Sequence, residues 1–282
     1  MEAFWEEKSS SLIPFPDNPP DISAWIGNEG PPPARAALDL ALHDRAGKIH
    51  GAPLYRLLEL PHPGVFTTAF TIAIAEPEEM ARMALDRGEF PIIKLKLGSE
   101  DDISLVEAVR KARPDIRIFV DANAAWGPEE AVEIIKELEP YQLEMIEQPV
   151  KGEDIEGLGY VQAHTNIPIV ADESLISMDR LEKLQRAGVR GINLKIMKLG
   201  GLGPTLNFLK SGRKLGFKIM LGCMAETSLG VTAMAHLAGM ADWFDLDAPL
   251  LIANDPFVGV QYNQAEVSVP DYPGIGVTRK KG

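Results

Sequence analysis

A single cysteine, Cys223, stands in a chain of 282 residues, which excludes an intrachain disulfide and suits a reducing compartment. Positive charge is scarce as well. Against 41 aspartates and glutamates there are 28 lysines and arginines, for a net charge of −13, so the clustered basic surface that nucleic acid requires is missing. No apolar run reaches the length that crosses a bilayer, and the opening MEAFWEEKSS is acidic where a secretory signal would be basic. The chain therefore reads as cytoplasmic. Low-complexity tracts and flexible interdomain linkers are also lacking, and the five histidines stand outside the pattern described next, which leaves no set of residues typical of zinc.

What is present is a recurring oddity in the apolar runs. The segment PIIKLKLG (91–98) puts two lysines into a strand-like stretch. Side chains alternate across a strand, so Lys94 and Lys96 share one face while Ile93, Leu95 and Leu97 share the other. The same device recurs with Asp121 in IRIFVDAN, Glu147 in LEMIEQP, Asp172 in IPIVADES, Lys195 in GINLK, and Asp245 with Asp247 in WFDLDAP. From Lys96 to Lys195 the successive charges are 25, 26, 25 and 23 residues apart, room for one strand, one helix and two loops. A step back from Lys96 reaches Thr71 in FTTAFTIAI, and IMLGCM falls between Lys195 and Asp247. The eight strands so counted, with seven helices separating them, predict a (β/α)7β TIM-like barrel of the α/β class with its site at the C-terminal strand ends, where the charges stand.

Taken in order, residues 1–33 read as irregular, because their prolines prevent a long helix before Ala34. A helix is expected from Ala34 to about Lys48, then a short one at LYRLLEL. Its Asp39, His43 and Asp44 read as a solvated face or local pairs rather than as ligands. The barrel is expected to begin near Val65, and its first helix at EPEE, where Pro77 and the acids suit an N-terminus. Further helices are expected near 101–112, 129–138, 155–164, 179–187, 203–215 and 228–239. After Asp247 no eighth helix is evident. The domains expected are a partial capping region (1–63), the barrel (64–248) and a C-terminal segment (249–282) that returns to the cap.

Alternation puts Asp121 with Asn123, Asp172 with Val170, Lys195 with Asn193 and Asp245 with Asp247 in the interior, while Phe244 and Leu246 face the helices. Three carboxylates from successive strand ends, Asp121, Glu147 and Asp172, make an all-oxygen donor set that suits Mg2+. The competing reading is that the acids pair with barrel lysines. The lysines approach such a metal from opposite sides, the geometry for moving a proton. Lysine's usual pKa near 10.4 is too high for a base, but a second cation or a divalent metal nearby favours its neutral form. Lys198, in the loop MKLGG, is the better candidate for a plain ion pair.

The set KLK, DAN, EQP, ADES, NLKIMKLGG and DLD resembles the enolase superfamily, in its muconate-lactonizing-enzyme-like branch, and within it the dipeptide epimerases of the L-Ala-D/L-Glu type. The resemblance covers roughly residues 34–275. It implies one Mg2+ per site held by Asp121, Glu147 and Asp172, with Lys96 and Lys195 as the two acid/base catalysts, as superfamily sites use lysine bases with Mg2+. It implies further that Lys94 is a supporting cation, that Asp245 and Asp247 hold a dipeptide's α-ammonium group, and that Asn123 and Glu173 stand behind the ligands. The activity implied is Mg-dependent dipeptide epimerisation by 1,1-proton transfer at the α-carbon next to the carboxylate, through a metal-stabilised enolate. Family members carry a longer capping segment with a mobile loop over the substrate, which here is expected to be shortened. Competing readings are a cycloisomerase, o-succinylbenzoate synthase or N-succinylamino acid racemase of the same branch, and a non-catalytic truncated barrel that binds a ligand. The partner expected is a small-molecule substrate, with neither nucleic acid nor membrane and with room for a homo-oligomer.

Overall fold

The computed structural model describes residues 2–10 and 14–280. Its opening is partly helical rather than irregular: α1 (Glu2–Ser9) and α2 (Pro19–Ile26) precede α3 (Pro32–His50). Pro19, Pro20, Pro32 and Pro33 cause no conflict because they fall in first turns, where the absent N–H has no partner to lose and φ is already set, and Pro14, Pro16 and Pro31 lie outside the helices. Thus α3 starts at Pro32 and not at Ala34, and it ends at Gly51, whose φ of 63° is left-handed. Phe4, Ile22, Ile26, Ala34, Leu42 and Ala46 form one apolar cluster under these helices. The short helix α4 (Leu54–Leu57) follows.

Strand β1 (Val65–Thr67), expected to open the barrel, belongs instead to a small separate sheet. The barrel strands and helices then alternate: β2 (Phe70–Ile72), α5 (Pro77–Asp86), β3 (Ile92–Lys96), α6 (Asp102–Ala112), β4 (Arg117–Asp121), α7 (Pro128–Leu138), β5 (Met145–Glu147), α8 (Ile155–Ala163), β6 (Ile169–Ala171), α9 (Met178–Arg186) and β7 (Gly191–Leu194). They continue through α10 (Ile196–Leu199), α11 (Leu202–Lys214), β8 (Lys218–Gly222), α12 (Ser228–Ala235) and β9 (Trp243–Asp245). The eight-stranded sheet runs in chain order from β2 to β9, as a (β/α)7β TIM-like barrel requires. After β9 come α13 (Ala248–Leu251) and the short strands β10 (Phe257–Val258), β11 (Gln261–Asn263), β12 (Glu266–Ser268) and β13 (Thr278–Arg279). No helix of the described residues is long and apolar enough to cross a membrane.

The chain divides into two compact units. The central unit, Thr67–Asn193 with Gly212–Met220, holds the parallel ladder. Its register aligns Lys96 with Asp121 and Asp121 with Glu147, while Glu147 faces Val170 and Val170 faces Gly191. Helix α7 shows why these elements form: Ala131, Val132, Ile135 and Leu138 are buried in one stripe, Pro128 opens its first turn, and the Gly127 N–H donates to Glu130.

The terminal unit combines Met1–Phe66, Leu194–Ser211 and Leu221–Gly282. In it β1, β12 and β11 form the three-stranded sheet, and β10 pairs antiparallel with β13. The tail reaches α3 and α4: Leu54 N–H donates to Gly274 O, and Ile275 N–H to Asp44 Oδ1. Asp39 and His43, expected on a solvated face or in local pairs, are buried and form such a pair. Asp39 accepts the N–H groups of Leu202 and Gly203 at the start of α11, and it pairs with His43. Lys198 lies in α10 and not in a loop.

Candidate active site

In the central unit the ladder register brings charge together at three adjoining strand ends. Lys94 is fully enclosed, and its ammonium lies 3.1 Å from Asp121 Oδ2 and 2.7 Å from Glu147 Oε2. Lys96, one turn of the pleat further along and partly open to solvent, donates to Asp121 Oδ2 at 2.7 Å and to Asn123 Oδ1 at 2.9 Å. Burial by itself would raise the Asp121 pKa, but the two ammonium groups outweigh it and hold the carboxyl below its usual range. Asn193 Nδ2 donates to Glu147 Oε1 at 2.6 Å, and Asn123 Nδ2 reaches Glu173 Oε1 at 3.4 Å.

The loops that follow these strands are shaped by left-handed residues, with φ of 45° at Asn123, 62° at Ala124 and 38° at Gln148, conformations that cost energy and persist only where neighbours impose them. Gln148 supplies that constraint. Its Oε1 accepts the N–H groups of Asp172 and Ser174, and its Nε2 donates to Val150 O and Ser174 Oγ. The ends of β5 and β6 are thereby tied into one piece, and Asp172 is held on it, buried. Gly98, just past Lys96, needs its φ of 109°, and a Cβ there would stand 2.8 Å from Ala125 Cβ. Asp102 braces that turn by accepting from Gly98 N, Ser99 N and Trp126 Nε1.

Asp121, Glu147 and Asp172 offer hard oxygen donors, and the first two stand close enough to share one ammonium, so in kind they suit Mg2+. Among the described residues, however, no group of three His, Cys, Asp or Glu side chains is arranged as a metal centre. The register supplies a reason. Glu147 pairs with Val170, so Asp172 lies two residues beyond that pair, just past the end of β6, roughly 7 Å of chain rise, while Lys94 pairs with the other two acids.

The terminal unit carries the remaining expected residues. Lys195, buried and extended (φ −133°, ψ 122°), directly follows β7. Asp245 ends β9, but Asp247 is not part of that strand: its φ of −98° and ψ of −5° make it the residue that starts α13. Strand alternation therefore does not extend to Asp247, although both acids are buried. Cys223 Sγ–H donates to Asp245 O at 3.1 Å, and Tyr262 Oη–H donates to Leu246 O at 2.6 Å. Burial, with Asp245, Asp247 and Glu226 adding negative charge, pushes the Cys223 thiol well up, which disfavours its thiolate.

Two residues of consequence escape the strand-end pattern. Glu226 follows β8 in GCMAET; burial pushes its pKa up to about 7 against the pull of the Met224 N–H and of Lys195. Its Oε1 accepts from Met224 N at 3.0 Å, while its buried Oε2 has no partner among the described residues. Its place in the seventh interval is a signal, but three residues separate it from the strand, so it does not end an apolar run. Gln148 is the other, hidden because it is neutral.

This fold, with lysines and acids at its strand ends, is that of the enolase-type barrels, and the chain belongs to the enolase C-terminal domain-like family, which matches residues 76–281. Within that family it is an isomerase, similar to epimerases over nearly its whole length. It is 36% identical over 263 residues to the L-Ala-D/L-Glu epimerase of Bacteroides thetaiotaomicron, covering 92% of this chain and 68% of that protein. The dipeptide epimerase of Enterococcus faecalis, solved with Mg and the dipeptide L-Leu-L-Tyr, superposes with a TM-score of 0.91 at 35% identity over 98% of this chain and 82% of that one. An N-succinyl Arg/Lys racemase from Bacillus cereus reaches the same TM-score of 0.91 at 27% identity, over 99% of this chain and 80% of that one.

Proposed function

We propose that this chain is a Mg2+-dependent dipeptide epimerase acting by 1,1-proton transfer at the α-carbon beside the substrate's carboxylate. The observation that carries the reading is the buried Lys94–Asp121–Lys96 cluster, which presents one partly open ammonium, that of Lys96, on a barrel strand end. Lys96 and Lys195 are the acid/base pair: one removes the α-proton, the other returns one to the opposite face of the carbon. Lys94 is the supporting cation, sharing the Asp121 carboxylate with Lys96. Asp121, Glu147 and Asp172 would hold Mg2+ when it binds, with Asn123 and Glu173 behind them. Mg2+ supplies, when bound, the positive charge that stabilises the substrate carboxylate as its α-proton leaves.

Asp245 and Asp247, both buried, are the pair that receives the substrate's α-ammonium group in this reading, which makes the substrate a dipeptide. The equal TM-scores to a dipeptide epimerase and to an N-succinyl amino acid racemase mean that the backbone does not choose between these substrates; the acid pair does. The test is incubation with L-Ala-L-Glu and with N-succinyl amino acids in D2O, following deuterium at the α-carbon and formation of the second epimer. Epimerisation of the dipeptide is expected, lost by a factor of about 10²–10⁴ in Lys96→Ala and in Lys195→Ala, with one substrate epimer still exchanging its proton through the lysine that remains. Undiminished epimerisation in both variants refutes the two-base mechanism.

A further inference from the structure

The segment Asp245–Leu246–Asp247 makes an abrupt change of conformation, from strand β9 to the residue that caps the start of α13. Such a corner does not hold two buried acids in one arrangement by its own propensities. Two side chains from elsewhere in the terminal unit grip it by its backbone. The Cys223 thiol, past the end of β8, donates to Asp245 O, and the Tyr262 hydroxyl donates to Leu246 O at 2.6 Å. Tyr262 is the middle residue of β11, paired to Val267 of β12 in the sheet that also contains β1, so its phenol projects from a stiff support. Burial, with Cys223, Asp247 and Asp255 adding negative charge, raises the phenol's pKa, which favours its protonated, donating form.

We propose that Tyr262 is a specificity-determining positioning residue: by holding the Leu246 carbonyl it fixes the bearing of Asp245 and Asp247 and so sets recognition of the substrate's free α-ammonium group. The inference rests on the dipeptide reading above. It requires no contact between Tyr262 and the substrate. Leu246 is the pivot between the two acids, and a rotation of its peptide plane re-aims both carboxylates. Tyr262→Phe removes one oxygen and leaves the ring in its packing, so the carbonyl is released without a cavity.

Kinetics on L-Ala-L-Glu in the wild type, Tyr262→Phe, Asp247→Asn and the double variant test the proposal. Tyr262→Phe is expected to raise KM about tenfold with kcat within about threefold, the loss expected when one hydrogen bond to the recognition segment goes. In the Asp247→Asn background the same change is expected to add less than twofold, because the acid pair it serves is already broken. Multiplicative losses in the double variant, an equal fall in kcat and KM terms, or an unchanged KM in Tyr262→Phe overturns the proposal. Calorimetric binding of L-Ala-L-Glu separates the two readings. Binding to the wild type without turnover overturns the epimerase and leaves the role of Tyr262 to be read in the ratio of Kd values; no binding overturns both.

Discussion

Burial pulls Glu226 and His236 in opposite directions, Glu226 up to about 7 and His236 down to about 4. His236 is neutral and satisfied, accepting from Tyr55 N–H at Nδ1 and donating from Nε2 to Ile275 O. Its depressed pKa means that the unfolded chain binds the proton first, so stability falls as pH drops from about 6.5 through 4. Glu226 behaves the other way. The folded state holds its proton more tightly than the unfolded chain does, so its contribution is complete below about pH 4.5 and is lost as pH rises through 7, about 3 kcal/mol in all. Between pH 4.5 and 6.5 the two slopes oppose each other. Glu226→Gln is therefore expected to gain about 3 kcal/mol on the wild type between pH 4 and pH 8, measured as the difference of urea-unfolding free energies at the two values. A constant difference between variant and wild type refutes the raised pKa.

At the scale of elements, the loops after the barrel strands carry the precision of the site, and Gln148 is their fastener. Gln148→Ala removes the acceptor of two buried N–H groups, those of Asp172 and Ser174, and each orphaned donor costs about 1–3 kcal/mol. A loss of about 2–4 kcal/mol in urea is expected, together with weaker Mg2+ binding, because Asp172 stands on the freed turn. Retained stability in this variant contradicts the fastening role. Legibility in the sequence varied by element for related reasons. The barrel helices, long and strongly periodic, fell where their stripes put them, as α7 illustrates. The opening segment did not, because prolines were read as breakers when they stood in first turns. Val65–Thr67 had the composition of a strand but not an address: which sheet it joins is decided by β12, two hundred residues later in the chain.

For the whole molecule, the clearest measurable consequence of the site is linkage between metal and stability. A ligand that binds only the folded state stabilises it by about 2.7 kcal/mol at one hundred times its Kd. Mg2+ is expected to raise the Tm of the wild type, and Glu147→Gln, which loses one anionic donor at nearly constant volume, is expected to abolish that rise while remaining folded. An unchanged metal-induced shift in Glu147→Gln removes Glu147 from the ligand set.

Charges that end apolar runs at intervals of 23 to 26 residues already specify an α/β barrel with lysines and acids at its strand ends, because one strand and one helix consume that length whatever the surroundings, and a buried charge must have a use. The sequence by itself thus determined the strand order, and it singled out Lys94, Lys96, Asp121, Glu147 and Lys195 as charges in or just after apolar strand runs. It did not determine which charges meet. That Lys94 bridges Asp121 and Glu147, that Asp172 stands two residues out of their row, and that Asp247 begins a helix follow from register and from the corner after β9. Nor did it mark Gln148 or Tyr262, whose work is done by neutral hydrogen bonds to residues 24 and 16 positions away. A neutral side chain carries no signal along the chain; only the tertiary structure, by bringing a carbonyl or an amide within reach, makes it a donor with a purpose.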